Sequence, residues 1–248
     1  MGLKESGLRG SLRNVSVGID AIPDGAVLHY PFLERSDSTI LEQIEGEDGT
    51  ANGTTNVFGN WREGYAEDGD GSNDYTLLTT WPQFLSTFFN DWTIFVTVNT
   101  TDGSGIICGS FGSPNVQLNF GSPGAGDFST GEIEFLVTDG DGNNISIGTD
   151  DTYNDGEKHR LAFRKSGNSA SDLSIFVDAV EVDTSVGRDQ SFADTGETEF
   201  SQPFSTHADY NDDSPRRHLA GVVDNLIPCQ GSLSASDIQS DYDAQPWS

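Results

Sequence analysis

The stretch GEIEFLV (131–137) places Glu132 and Glu134 at alternate positions, so on a strand both carboxyls point to one face. Retaining glycoside hydrolysis needs such a pair, about 5–5.5 Å apart, one as nucleophile and one as acid/base. A second grouping, DGDGNNISIGTD (139–150), spaces Asp139, Asp141, Asn143 and Asp150 in the manner of a calcium loop. Calcium takes about six to eight oxygens from a backbone able to wrap it. Asn144 stands at the sixth place, where such loops carry glycine. DGDGSND offers Asp68, Asp70 and Asp74 in the same way. Trp61, Tyr65, Trp81, Tyr153 and Tyr210 lie in polar surroundings, where a sugar ring stacks on an aromatic while Asp or Asn accepts its hydroxyl hydrogens.

Each grouping also has a purely structural reading. Glu132 and Glu134 read as two solvated acids on an outward strand face, and the aspartate clusters as acidic hairpin tips. Most aromatics of a β protein belong to its core. His29, His159, His207 and His218 are scattered, with neither zinc spacing nor a serine or cysteine nucleophile beside them. The glycine-rich turns lack the setting of a phosphate cradle. On these grounds the chain is expected not to be an enzyme, and calcium is the one candidate cofactor.

The elements that would position these residues are strands. Helical periodicity is nearly absent from the 248 residues. Alternating or β-rich runs recur instead: AVLHYPFL (26–33), DYTLLTTW (74–81), DWTIFVTVNT (91–100), SGIICGSFG (104–112), NVQLNFG (115–121), GEIEFLVTD (131–139), NISIGTD (144–150), HRLAFRK (159–165), LSIFVDAVEVD (173–183) and HLAGVVDNLIP (218–228). Turn clusters such as DGDGSN, GSPGAGD and KSGNSASD separate them. The spacing predicts an all-β fold, an antiparallel sandwich of two sheets. FSTHADYNDDSPRRH (204–218) reads as the longest irregular stretch, with Arg216 and Arg217 paired to Asp212 and Asp213. Ser234 reads as the N-cap of a short C-terminal helix, with Leu233, Ile238 and Tyr242 facing the sandwich. Cys108 and Cys229 do not make a disulfide framework and read as two buried thiols.

Charge sets a further condition. Forty acidic against 12 basic residues give a net charge of −28, with the acids spread along the chain. Such a surface suits a high-salt medium, where screening contracts from about 10 Å at 0.1 M to about 3 Å at 1 M. It also argues against nucleic acid as a partner. No apolar run approaches the roughly 18 residues of a membrane span, and no secretory signal is expected. The first 19 residues are the exception, with Lys4, Arg9 and Arg13 against Glu5 alone.

LHYPFLE, DGSNDYTLL, FNDWTIFVTVNT, NDGEKHRLAFRK with Asp155, Gly156 and His159, LSIFVDAVEVD with Asp178, and LAGVVDNLIP with Gly221 and Asp224 follow one another in order. In this order they resemble the laminin-G-like, concanavalin A-like jelly rolls, over roughly residues 26–245. The resemblance implies a jelly-roll sandwich formed by residues 26–248, preceded by an extended arm of residues 1–25. It makes His159 a structural residue and departs from the family at Ala179, where the hairpin glycine would stand. It implies calcium held through Asp224, with Glu34 near the family's first-strand aspartate, and it makes Trp61, Tyr65, Tyr153 and Tyr210 candidate ligand contacts. Hydrolases of this fold carry a Glu, a central Asp and a further Glu in alternation. Here one outer carboxylate is missing, with Thr130 or Val137 in its place.

SGLRGSLRNVSVGIDAIPDG resembles the N-termini of structural proteins of haloarchaeal tailed viruses. This implies a virion surface protein, of capsid or tail, made in the host cytoplasm and released by lysis into a high-salt environment. Leu3, Leu8 and Leu12 would anchor the arm on another virion subunit, while Lys4, Arg9 and Arg13 meet its acids. Homo-oligomers are the general rule for such assemblies, and the head would face a host glycan or surface glycoprotein. The alternatives are a haloarchaeal cell-surface carbohydrate-binding or adhesion module and, less favoured, a glycoside hydrolase. The charge generates a direct expectation: thermal melts should lose cooperativity below ~0.2 M salt and sharpen toward molar salt. A melting temperature independent of salt would contradict the high-salt reading.

Overall fold

Strands form where aromatic and β-branched residues alternate with short polar ones, and most of the expected runs do so. The computed structural model describes residues 23, 26, 29, 39–40, 48–58, 61, 65–78, 91–121, 127–192, 202–211 and 214–245. The first strands are β1 (Thr39–Ile40), β2 (Gly49–Asn52), β3 (Thr55–Phe58), β4 (Tyr65–Asp70), β5 (Tyr75–Leu78) and β6 (Trp92–Asn99). The middle of the chain forms β7 (Gly105–Gly109), β8 (Asn115–Phe120), β9 (Glu132–Thr138), β10 (Asn144–Thr152), β11 (Lys158–Lys165) and β12 (Leu173–Val177). Then follow β13 (Val180–Glu181), β14 (Thr184–Asp189), β15 (Phe204–Thr206), β16 (Asp209–Asn211), β17 (Ser214–Arg216), β18 (Ala220–Gln230) and helix α1 (Ala235–Asp243).

A nine-stranded sheet has the order β1-β2-β5-β15-β7-β8-β9-β10-β14, and a seven-stranded sheet the order β13-β12-β11-β6-β18-β4-β3. Strands β16 and β17 form a separate hairpin. The two sheets face each other as the expected antiparallel sandwich. Trp92, Ile94, Val96 and Phe163 of one sheet and Leu118, Phe120, Phe135 and Ile147 of the other share a single apolar core. The Trp92–Phe135 and Phe135–Phe163 rings, 5.5 and 5.6 Å apart, join the layers.

A second, smaller core lies on the outside of the seven-stranded sheet. Phe95, Ala162, Phe176, Ile227 and Cys229 meet Ile238 of α1, with Leu233 packed beside them. Strand β6 is therefore buried on both faces. The helix begins as expected at Ser234, whose hydroxyl accepts the Asp237 amide while the Asp237 carboxylate accepts the Ser234 amide. Asp241, on the inner face of α1, holds Arg160 of β11 in two bonds of 2.7 and 3.1 Å. Arg160 donates further to Thr97 Oγ1 at 3.2 Å and the Asn225 carbonyl at 2.7 Å, and lies over the Phe95 ring.

Three stretches differ from the sequence reading. YAEDGD, whose end was expected to turn, is strand β4, and its Glu67 is fully buried, accepting hydroxyls from Thr54 at 3.1 Å and Thr76 at 2.6 Å. TSVGRD, too polar to signal a strand, is edge strand β14, paired to β10 alone. The stretch expected to be irregular, 204–218, contains β15 and the β16–β17 hairpin; Arg216 and Arg217 meet Asp209, and the expected partners Asp212 and Asp213 lie outside the described residues. His207, in the same stretch, is driven by burial to a pKa of about 4 and stays neutral. Cys108 and Cys229 are free, buried thiols in different sheets, each pushed up by burial. The hairpin turn at Asp178 and Ala179 has φ of 51° and 67°, so the missing glycine is replaced by two left-handed residues.

Removing one partner of a buried ion pair strands the other charge, which costs about 3–5 kcal/mol. Asp241→Ala should lose stability of that order in denaturant titrations at molar salt. The double variant Arg160→Met/Asp241→Leu, which strands no charge, should lose clearly less. Equal losses would show that packing of α1 outweighs the pair.

Candidate functional site

Strand alternation sends Val116, Leu118 and Phe120 into the core and turns Asn115, Gln117 and Asn119 to the outer face of the nine-stranded sheet. The register sets Asn119 beside Glu134 and Glu134 beside Gly148. One step along lie Gln117, Leu136 and Ser146, and at the end Asn115, Thr138 and Asn144. Three neighbouring strands thus present a floor of amides, hydroxyls and one carboxylate.

This floor is largely shielded from solvent: Asn119 is 1% exposed, Glu134 4% and Ser146 0%. Asn119 Nδ2 donates to Glu134 Oε2 at 2.9 Å and to the Gly121 carbonyl at 2.7 Å. Gln117 Nε2 donates to the Ser110 carbonyl at 3.2 Å. Asn119 Oδ1, Asn115 Oδ1 and Ser146 Oγ are buried with no hydrogen-bond partner among the described residues. A buried polar atom left in that state costs about 1–3 kcal/mol, so each of these oxygens calls for a partner, such as an ordered water, that the described residues do not supply. Glu134 is therefore no solvated acid, contrary to the expectation. Its neighbour Glu132 accepts the Ser129 amide at 2.7 Å.

Phe128 borders the floor on its β14 side. It lies against Gly148 of β10 and Gly187 of β14, where a Cβ on Gly187 would come within 2.7 Å of the ring. The glycines are needed here for that close approach rather than for a special φ. Beside the ring, Arg188 Nε donates to Asp127 at 2.8 Å. On the opposite side the β16–β17 hairpin packs beside β7.

The residues singled out from the sequence lie elsewhere and do not converge. Asp139 is fully buried and spends both carboxylate oxygens on Asn143, accepting its amide at 2.8 Å and its side chain at 3.0 Å. Asp141 is exposed in that turn. Asp150 lies six residues beyond Asn144 on β10, about 20 Å away at strand rise, and accepts the Ser185 hydroxyl at 2.6 Å. The four therefore do not form one calcium loop, because the strand pulls them apart. Asp224 is buried on β18 opposite Thr97, and Glu34 lies outside the described residues. Among the described residues no group of three or more His, Cys, Asp or Glu side chains is placed to hold a metal ion.

Trp61 lies under Lys158, 5.2 Å from its ring centre, and burial lowers the Lys158 pKa while Asp224 opposes the shift. Tyr153 packs edge-on against His159, and burial, then Asp151 and Asp178, push its hydroxyl up. His159 bridges Asp178 at 2.8 Å and Asp155 at 3.2 Å. Burial draws its pKa down, but the two carboxylates outweigh burial and hold it above the ordinary histidine value. Asp178 also accepts the Arg160 amide at 2.9 Å, so this cluster ties the hairpin turn to β11. Tyr65 and Tyr210 occupy β4 and β16, their side chains outside the described set, as are Trp81 and the arm residues Leu3, Leu8, Arg9, Leu12 and Arg13. The polar floor was missed, although NVQLNF shows its signal: amides, not acids, alternate with apolar residues in a strongly acidic chain.

No protein-family model and no curated protein matches the chain. Solved structures do. The binding domain of Paraclostridial Mosquitocidal Protein 1 matches with a TM-score of 0.64 at 11% identity, over 89% of this chain and 52% of that one. The receptor binding domain of botulinum neurotoxin C/D mosaic serotype matches with a TM-score of 0.63 at 11% identity, over 90% and 52%. Trypanosoma rangeli sialidase, solved as a covalent intermediate with 2,3-difluorosialic acid, matches with a TM-score of 0.60 at 13% identity, over 88% and 33%. The chain thus spans about half of the toxin domains and a third of the sialidase, and at these identities the likeness establishes a jelly-roll-like β-sandwich. The expectation that the chain is no enzyme is corrected by the sialidase matches: enzymes contain this fold across nearly all of the present chain, so absence of activity does not follow from it. Among the described residues no helix is long and apolar enough to cross a membrane.

The fit of Phe128 over two glycines predicts a coupled pair. Gly148→Ala should destabilise by about 1–3 kcal/mol through overpacking, and Phe128→Ala should suppress much of that loss in the double variant. Additive losses in thermal melts would mean that the ring does not rest on Gly148.

Proposed function

We propose that this chain is a glycan-recognising β-sandwich module whose sugar lies on the outer floor of β8, β9 and β10. The observation that carries the reading is the buried set Asn119, Asn115 and Ser146, whose oxygens have no hydrogen-bond partner among the described residues, beside a hydrogen-bonded Asn119–Glu134 pair. Sugar hydroxyls are both donors and acceptors, and amides, hydroxyls and a carboxylate can satisfy them in a fixed pattern. Phe128 supplies an apolar edge for a ring face. One toxin structure that shares the fold is a receptor binding domain, two others are binding domains, and a sialidase that shares it was solved with sialic acid, which supports carbohydrate as the ligand class.

We further propose that the module belongs to the surface of a haloarchaeal virion, as a laminin-G-like head of a capsid or tail protein. The acid excess and the resemblance of the N-terminal segment support it. Residues 1–25 would dock on a neighbouring virion subunit through Leu3, Leu8, Arg9, Leu12 and Arg13. The head, present as a homo-oligomer in a high-salt medium, would meet a host surface glycan or glycoprotein.

Binding of an oligosaccharide panel at molar salt tests the sugar site. The expected outcome is a wild-type chain that retains at least one glycan, with Ser146→Val weakening it about tenfold at a melting temperature near wild type, and Asn119→Ala weakening it as much while also lowering the melting temperature, because it strands Glu134 Oε2 and the Gly121 carbonyl. Binding unaffected by both variants would move the site off this floor, and no retained glycan would overturn the reading.

A further inference from the structure

In a chain with 12 basic and 40 acidic residues, cations are expected to be fully matched. Arg160 has Asp241, Arg164 has Glu181 and Arg188 has Asp127. The β16–β17 hairpin breaks this pattern. Arg217 takes Asp209 Oδ2 with both Nε and Nη2, and Arg216 reaches that same oxygen only at 3.8 Å. Two guanidinium groups thus share one carboxylate, and the Arg216 side chain is 44% exposed.

Arg216 is nevertheless not loose. Its guanidinium lies 4.3 Å from the Phe111 ring centre, with Arg217 5.9 Å from the same ring. A guanidinium held over a ring is restrained in position, and the 44% exposure of this side chain leaves part of its N–H fork open to solvent. That planar fork matches the paired oxygens of a carboxylate or a sulfate ester. Phe111 belongs to the connection from β7 to β8, and its neighbour Ser110 is bonded through its carbonyl to Gln117 of the polar floor. The cation therefore stands at the β7 side of the surface assigned to the sugar.

We propose that Arg216, held on Phe111, is an anion subsite that receives a carboxylate or sulfate carried by the glycan. The proposal rests on the glycan reading and adds the ligand's charge to it. The long-range repulsion of a −28 chain does not forbid this at molar salt, where fields decay within about 3 Å and only direct contacts act.

Two measurements on the full chain at constant molar KCl decide it. The first compares a uronic-acid oligosaccharide with its carboxyl-reduced form, and a sulfated one with its desulfated form. Wild type should favour one acidic member about tenfold, and Arg216→Gln should erase that preference while leaving affinity for the neutral form unchanged. Neutral and acidic forms bound alike, or weakened alike by Arg216→Gln, would overturn the anion subsite while the glycan reading stands. The second follows the Arg216 Nε–H resonance during titration with sodium sulfate and with sodium acetate. A saturable shift that Phe111→Leu abolishes supports the subsite even if no sugar binds, which would itself remove the glycan reading. A linear, non-saturating drift with both anions overturns it.

Discussion

A guanidinium cannot sit in a dry sheet face unless its donors are met, and much of this molecule is arranged around meeting those of Arg160. Two go to Asp241 of α1, one to Thr97 on the neighbouring strand and one to the carbonyl of Asn225. That carbonyl is available because β18 shifts register between Asp224 and Ile227, where Asn225 takes a φ of 54°. The Asn225 side chain in turn bonds His29 at 2.7 Å and Gln245 at 3.3 Å. One buried cation therefore links strand β11, a bulge, the C-terminal helix and a segment near the start of the chain. Without α1 on that face, Phe95, Phe176 and Ile227 would be exposed, and β6 would lose its second layer. The pair adds little net energy over apolar side chains of the same size; its effect is to specify where the helix docks.

Polar groups elsewhere follow the same rule. Glu67, buried between the sheets, is tolerated because Thr54 and Thr76 bond both its oxygens. His159 is held by two carboxylates and His207 is kept neutral by burial, so neither carries an unmatched charge into the protein. Against that background the outer floor of the nine-stranded sheet stands out. There Asn119, Asn115 and Ser146 hold buried oxygens for which the described residues provide no partner. Ser110 Oγ, Arg164 Nε and Asp209 Oδ1 are in the same state elsewhere, so what distinguishes the floor is that three such oxygens lie within three neighbouring strands of one sheet. Arg216 differs too: it shares one carboxylate with Arg217, whereas Arg160, Arg164 and Arg188 each have their own.

The shared sandwich of toxin binding domains and sialidases is a scaffold on which such surfaces are built, and the fold does not choose among them. What can choose is local: amide and hydroxyl spacing on three strands, a ring lying on two glycines, and a cation fixed on an aromatic at one rim.

Local pattern was enough for the sandwich. Alternation in WTIFVTVN, NVQLNF, EIEFLVT and KHRLAFRK shows two-sided strands, because a strand sends neighbouring side chains to opposite faces. Ser234 followed by Asp237 marked the helix start through bonds within one turn. Strands made of polar residues were illegible: YAEDGD is set between β18 and β3 and TSVGRD beside β10 by partners distant in sequence or pattern, a property of the partner strands. The site was illegible for the same reason. Asn119, Glu134 and Gly148 come together by register across strands, whereas Asp139 and Asp150, close in sequence, are driven apart by the length of the strand between them. Spacing along the chain reports which face a residue occupies. Which residues become neighbours, and which polar atoms are left over once they have, is decided by long-range pairing that no local stretch encodes.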